Sequence, residues 1–156
     1  MPNGVLREVN DKSALDVSEA ERQATFEARW EAGTGAFLGS FNDILTNKAS
    51  NDTMAEFVRG KIRATVKDPA TAEILCPTTH PIGTKRICID NGYYQTFNRD
   101  NVDLVDISET PIGRMTETGF PVGDQTFEFD AIVFATGFDA MTGTLFNVDI
   151  RGREGL

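Results

Sequence analysis

The sequence predicts an α/β chain in which a helical first half gives way to a β-meander and one parallel strand. Three observations carry this. Apolar residues recur at helical spacing up to about residue 75, and β-branched residues with turn chemistry dominate 102–129. An unbroken apolar run, Ala131-Ile-Val-Phe-Ala135, then reads as a strand covered on both faces.

Ser18-Glu-Ala-Glu21 has the form of a capping box, and the helix it opens runs to about Ala32 with Phe26 and Trp30 on one face. A glycine-rich connection, Gly33-Thr-Gly35-Ala-Phe-Leu-Gly39, follows. Thr53-Met-Ala-Glu56 reads as a second capping box, opening a helix to about Lys67. Its Met54, Phe57, Val58, Ile62 and Val66 form one apolar stripe, which predicts a buried face. Asp68-Pro69 ends that helix and starts a short one through Leu75, because proline is tolerated in a first helical turn.

In the second half, Val102–Ile107, Pro111–Thr116 and Thr126–Phe129 are the expected strands, with turn chemistry at Gly119 and Gly123-Asp124. The Ala131–Ala135 strand stops at Thr136-Gly137, where a glycine lets the backbone turn or approach a ligand. No internal repeat is present. So few strands make an awkward closed domain, and the residues from Asp149 to Leu156 read as the start of something that continues.

The formal charge of −9 argues against nucleic acid or an anionic membrane as partner, since phosphate binding needs a basic field. The densest basic stretch, Arg59, Lys61, Arg63 and Lys67, reads as the solvated face of a helix. The start contains no apolar core of the kind a signal peptide needs, and its Glu8, Asp11 and Asp16 argue against a transit peptide. The longest apolar run, Ala131–Ala135, is far short of the roughly 20 residues that span a bilayer. Cys76 and Cys88 form no CxxC and are expected to be ordinary buried thiols of a reduced, cytoplasmic protein. Eleven Phe residues point to a bulky interior, or to pieces of a larger one.

Gly33-x-Gly35-x-x-x-Gly39 fails as a dinucleotide fingerprint: its third glycine comes one residue late, and a helix rather than a strand precedes it. No GxGxxG occurs anywhere in the chain. His80, the sole histidine, lacks partner ligands at useful spacing, so neither a metal site nor a Ser-His-Asp arrangement is expected. Asp100, Asp103, Asp106 and Glu109 recur every three residues, which alternates faces along an extended strand and sends them to solvent. Lys85-Arg86 is the most informative pair. Lysine offers a mobile point charge and arginine a fixed fork that keeps its proton, so together they suit an anion.

The segment Lys85-Arg-Ile-Cys-Ile-Asp90-Asn-Gly92-Tyr-Tyr94-Gln-Thr-Phe-Asn98 resembles a signature of the Baeyer–Villiger monooxygenases, the cyclohexanone monooxygenase-like class B flavoproteins. Other segments fall in the same order as in that family. They are Phe41-Asn-Asp-Ile-Leu-Thr46, Ala55–Ile62, Asp68–Ala72, Asn101-Val-Asp-Leu-Val, Pro111-Ile, and Asp130-Ala-Ile-Val-Phe-Ala-Thr-Gly-Phe-Asp139-Ala. The ordered set is specific, although Ala-Thr-Gly alone occurs in many flavoproteins.

The resemblance implies a central fragment of a protein with two dinucleotide-binding domains. Residues 1–90 would be the helical insert of the NADPH domain, 91–140 its later half, and 141–156 the return towards the FAD domain. It implies FAD and NADPH as cofactors and a small-molecule ketone as substrate, oxidised to an ester or lactone. In the family, the arginine at Arg86 faces the flavin and stabilises negative charge on the reacting oxygen. The lysine at Lys85 contacts the 2′-phosphate of NADP, and Thr136 and Gly137 bring backbone close to the cofactors. The family's F-x-G-x-x-x-H-x-x-x-W fingerprint is missing, since the only Trp, Trp30, precedes the only His, His80. Three readings follow: an incomplete ketone-oxidising enzyme, inactive alone; a non-catalytic remnant or partner subunit binding NADP weakly; or a flavin monooxygenase acting on nitrogen or sulfur. In the first, apolar surface left uncovered invites self-association.

Overall fold

The computed structural model describes residues 10–137 and 142–155. The expectations resting on Glu8 and on Phe138–Ala140 lie outside the described residues. The chain divides into two compact units, Met1–Asp106 and Ile107–Leu156.

In the first unit the helices are α1 (Glu19–Glu31), α2 (Thr34–Phe37), α3 (Lys48–Thr65), α4 (Pro69–Leu75) and α5 (Tyr93–Thr96). Ser18 caps α1 as expected, its hydroxyl accepting from the Glu21 amide at 3.2 Å. Asp68 caps α4 in the same way, accepting from the Thr71 amide at 2.7 Å with Pro69 in the first turn. The start of α3 differs from the capping box expected at Thr53. Asn47 is the N-cap, its side chain accepting from the Ala49 amide at 3.0 Å. Thr53 sits inside the helix with its hydroxyl donating to the Ser50 carbonyl. The asparagine cap lies further upstream, where the orphan amides of the longer helix are, and the polar turn Lys48–Asp52 continues the helix without an apolar period to reveal it.

Two apolar clusters organise this unit. Phe26, Phe37, Phe41, Ile44, Met54 and Phe57 form the first with Ala14, and Trp30, Leu38, Val58, Ile82 and Ile87 pack on it. Its rings meet edge-on: Phe26 lies 5.5 Å from Phe41 at 90°, and Trp30 lies 5.2 Å from Phe37 at 83°. Such tilted pairs place the positive ring edge on a neighbour's negative face. The second cluster joins Ile62, Val66, Ala72 and Cys76, with Tyr94 and Phe97 packed against it. The predicted stripe of α3 therefore feeds both clusters.

Polar anchors fix how the elements meet. Asp43 accepts hydrogen bonds from the Ser13 hydroxyl (2.8 Å), the Ala14 amide (3.1 Å), the Asn47 side chain (3.2 Å) and the Ser50 hydroxyl. The basic residues of α3 are paired rather than merely solvated. Arg59 and Arg63 both reach Glu56, Arg63 also binds Glu73 of α4, and Lys61 pairs with Glu27 of α1.

In the second unit β1 (Gly119–Val122) and β2 (Gln125–Glu128) form an antiparallel hairpin in which Phe120 opposes Phe127. Gly123 takes a φ of 59° at the two-residue turn, a conformation that glycine alone adopts freely. The strand expected over Pro111–Thr116 reduces to a single bridge, Ile112 to Val122. Pro121 of β1 accepts from the Gly113 amide at 2.8 Å but has no N–H to return, so the ladder cannot extend. Val102–Ile107 and Ala131–Ala135 are not strands. Neither has a strand beside it among the described residues, and β-propensity without a hydrogen-bonding neighbour leaves the backbone irregular. Residues 131–137 are exposed throughout, Val133 at 89% and Phe134 at 65%. A four-residue turn of helix, α6 (Gly143–Phe146), follows.

Phe26→Ala is expected to destabilise the first unit by about 3–5 kcal/mol, because it empties a fully enclosed site at the centre of an aromatic cluster; urea unfolding followed by Trp30 fluorescence measures this.

Acid should also unfold this unit. Hydrogen bonds from Arg59 and Arg63 hold Glu56 below the usual carboxylate range, and that from Arg63 does the same for Glu73. At Asp43 burial alone would raise the pKa, but hydrogen bonds from Ser50, Ala14 and Ser13 outweigh it and the net shift is downward. A carboxylate depressed in the folded state contributes stability that is fully present above its unfolded pKa, about 4, and is lost as pH falls through the lower folded value. Thermal melts should therefore be flat from neutral pH to about 5 and then fall progressively below about 4.

Candidate functional site

Arg86 and Lys85 lie in the first unit, in the irregular segment that follows the turn Pro81–Thr84. The turn is closed by the Thr84 amide and hydroxyl, which both donate to the Pro81 carbonyl. Ile82 and Ile87 flank the pair, and both pack against the aromatic cluster. That packing turns the chain between them outward, and both cations are exposed. Neither enters an ion pair among the described residues, unlike Lys61, Arg59 and Arg63 on the neighbouring helix.

The pair borders a cavity of about 830 Å³, within the range of roughly 300–1,000 Å³ that small-molecule sites occupy. One wall is the face of α3 around Val58, Lys61 and Ile62; another is Trp30 with Phe37; the segment Ile82–Asp90 and the tyrosines of α5 supply the rest. Lys61 stands on this lining with its ammonium 5.3 Å above the Phe57 ring. Asp90 also lines the cavity, one carboxylate oxygen accepting from the Tyr93 amide at 2.7 Å where α5 begins. Burial raises the pKa of Tyr94, so Tyr94 stays a neutral phenol here.

An apolar cavity with aromatic walls and two cations at its edge that enter no ion pair can hold a flat ring system and bind an attached phosphate. These features fit a phosphorylated nucleotide. They include no glycine-rich strand-to-helix turn to cradle a pyrophosphate, in keeping with the absence of any GxGxxG.

Thr136 and Gly137 belong to the second unit. Thr136 is exposed, and Gly137 has a φ of 84° with nothing within 4 Å of where a Cβ would stand. His80 is half-buried on the cavity lining beside Thr79, whose hydroxyl lies 3.0 Å from its Nδ1. The acidic series Asp100, Asp103, Asp106 and Glu109 is exposed as expected, and no cluster of metal-ligating side chains occurs among the described residues. The two thiols are free, but only Cys76 is buried; Cys88 is exposed, a correction to the expectation, because it sits in the outward-turned segment beside Arg86. Burial raises the pKa of Cys76 and keeps it a thiol.

The sequence reading missed Trp30 and Lys61 as lining residues, because a helical period marks which residues share a face but not which cavity that face closes. It also missed Asn51 and Asp43, single polar residues with no spacing signal.

No protein-family model matches the chain. It is 49% identical over 144 residues to 2-oxo-Delta(3)-4,5,5-trimethylcyclopentenylacetyl-CoA monooxygenase of Pseudomonas putida, covering 92% of this chain and 26% of that protein. It is 44% identical over 146 residues to a phenazine N-monooxygenase of Lysobacter antibioticus, covering 92% of this chain and 27% of that one. Among solved structures, a steroid monooxygenase bound to NADP superposes with a TM-score of 0.87 at 53% identity, over 95% of this chain and 28% of that one. The chain thus spans about a quarter of the length of the proteins it matches. No described helix is long and apolar enough to cross a membrane. In sequence and in fold alike, this chain corresponds to a segment of the Baeyer–Villiger monooxygenases.

Proposed function

We propose that this chain acts as part of an FAD- and NADPH-dependent Baeyer–Villiger-type monooxygenase, in which it presents the Lys85–Arg86 cation pair to the cofactors. The observation that carries the reading is this unpaired pair at the edge of an aromatic-walled cavity. The whole reaction would insert one oxygen atom of O₂ beside a ketone carbonyl to give an ester or lactone. The second atom leaves as water, with NADPH supplying the two electrons. Bound FAD would supply the oxidising chemistry; this chain binds and orients.

Lys85, with three donors on a flexible stem, suits the 2′-phosphate and so favours NADP over NAD. The planar guanidinium fork of Arg86 can stabilise negative charge developing on the reacting oxygen. Gly137 has no Cβ to hold off a ligand, so backbone at Thr136-Gly137 can approach a cofactor closely. In this reading residues 1–90 are the helical insert of the NADPH domain, 91–140 its later half and 141–156 the return towards the FAD domain. Ala131–Ala135 becomes a parallel strand when neighbouring strands cover it, and the chain by itself is inactive. A cytoplasmic setting, which keeps both thiols and NADPH reduced, belongs to the same proposal.

A second reading is oxidation at nitrogen, favoured by the 44% identity to a phenazine N-monooxygenase. Product analysis with a cyclic ketone and an aromatic N-heterocycle, using a full-length monooxygenase that carries this segment, separates the two chemistries.

Titration with NADPH and FAD, followed by absorbance and flavin fluorescence, tests the reading on the chain itself. NADPH should bind weakly and lose about tenfold in affinity on Lys85→Ala, as expected for one charge-assisted contact to phosphate. FAD should not bind saturably; saturable flavin binding would mean that the chain forms a flavin site without a glycine fingerprint, and the reading would fail.

The exposed run at 131–135 makes a separate prediction. Sedimentation should show concentration-dependent association of the chain, reduced in a Val133→Asp, Phe134→Asp variant. A monomer at all concentrations would contradict it.

A further inference from the structure

Asn51 stands in the first turns of α3, 4% exposed and away from the cavity lining. Its side chain is saturated by backbone partners. The amide nitrogen donates to the carbonyls of Ile44 and Ile82, both at 2.9 Å, and the amide oxygen accepts from the Ile82 N–H at 3.0 Å. Both backbone groups of Ile82 are therefore held by one side chain, as a strand neighbour would hold them. Ile82 lies three residues before Lys85.

Besides the packing of Ile82 and Ile87 on the aromatic cluster, few polar ties hold that segment. Among the described residues, the Asn51 pair supplies the hydrogen bonds that tie 78–89 to the remainder of the unit. Gly83 adds a steric fit: its φ is 87°, and a Cβ there would stand 2.7 Å from the Leu45 side chain. At the far end of α3 a second asparagine plays a matching part. Asn98 donates to the Thr65 carbonyl and accepts from the Lys67 amide, both at 2.8 Å, and so holds the residues just after α5. The cation pair is carried on the stretch between these two clamps.

We propose that Asn51 is a positioning residue, which clamps Ile82 and thereby holds Lys85 and Arg86 at the cavity edge for a phosphorylated dinucleotide. This rests on the nucleotide reading above. A buried primary amide is the side chain that can donate to a carbonyl and accept from the N–H of the same residue, because it reproduces peptide geometry. An aspartate of the same shape keeps the acceptor but loses both donors, and alanine loses everything.

The test is backbone amide hydrogen exchange on the whole chain, with NADP⁺ and NAD⁺ titrated into ¹⁵N-labelled protein. In the unmutated chain the Ile82 amide should be protected although its segment is a surface loop. Exchange at Ile82–Arg86 should quicken by about tenfold or more in Asn51→Ala and by at least as much in Asn51→Asp, whose buried carboxylate would face the Ile44 and Ile82 carbonyls, while Met54 and Ile62 stay protected. NADP⁺ affinity, read from the Lys85 and Arg86 amide shifts, should fall in the same order with the Ile82 exchange rate. An unprotected Ile82 amide in the unmutated chain overturns the proposal without recourse to a variant, so misfolding of a variant cannot shelter it. Faster exchange with unchanged NADP⁺ affinity overturns the positioning role and leaves Asn51 as a structural residue. NADP⁺ causing no shift at Lys85 or Arg86 in the unmutated chain removes the nucleotide reading and with it the positioning role, while exchange at Ile82 reports separately whether the clamp exists.

Discussion

Phe26 is fully enclosed, and its ring meets those of Phe37, Phe41 and Phe57 at once, at centroid separations of 5.4–6.1 Å. These partners come from α2, from the loop after it and from α3, so one side chain of α1 ties those three parts together. The placement of the cation segment follows from this packing, because Ile82 and Ile87 seat on the same cluster. An aromatic centre suits the task. Large rings remove much apolar surface from water per residue, and their edge-to-face preference restricts the ways the helices can meet.

Hydrophobic packing alone leaves sliding motions open, and polar anchors, Asn51 buried and Asp43 and Asn98 half-buried, close them. Asp43 gathers the start of the unit, the Asn47 cap and Ser50 around one carboxylate. Asn51 and Asn98 secure the two ends of the stretch that carries Lys85 and Arg86. Each would be expensive to bury without partners, and each has them. The ion pairs along α3 do something different: partly open to solvent, they add little stability individually, but they take up Glu27, Glu56 and Glu73, and Lys85 and Arg86 enter no ion pair among the described residues.

The second unit shows what happens when strand-forming sequence lacks partners. Its hairpin closes through Phe120, Phe127 and Phe129, while the adjacent apolar run lies open to solvent. Val133 and Phe134 have the composition of an interior and the exposure of a surface. An apolar run of this kind takes up strand geometry only where other segments flank it in space, and none does so among the described residues.

By itself the sequence determined what depends on neighbours in the chain: the Ser18 and Asp68 caps, the buried stripe of α3, the Gly123 turn and the ordered motifs that mark the family. These are local, so spacing and side-chain type suffice to read them. Thr53 is not the cap, because the polar first turns of α3 carry no apolar period and the helix starts further upstream, at Asn47. Tertiary structure alone decided that Trp30 and Lys61 share a cavity with Lys85, and that Asn51 reaches across 31 positions to Ile82. It also decided that β-branched runs without a neighbour do not become strands. Such contacts join residues far apart in the chain, and a hydrogen bond or an aromatic edge leaves no trace in spacing until the chain has folded.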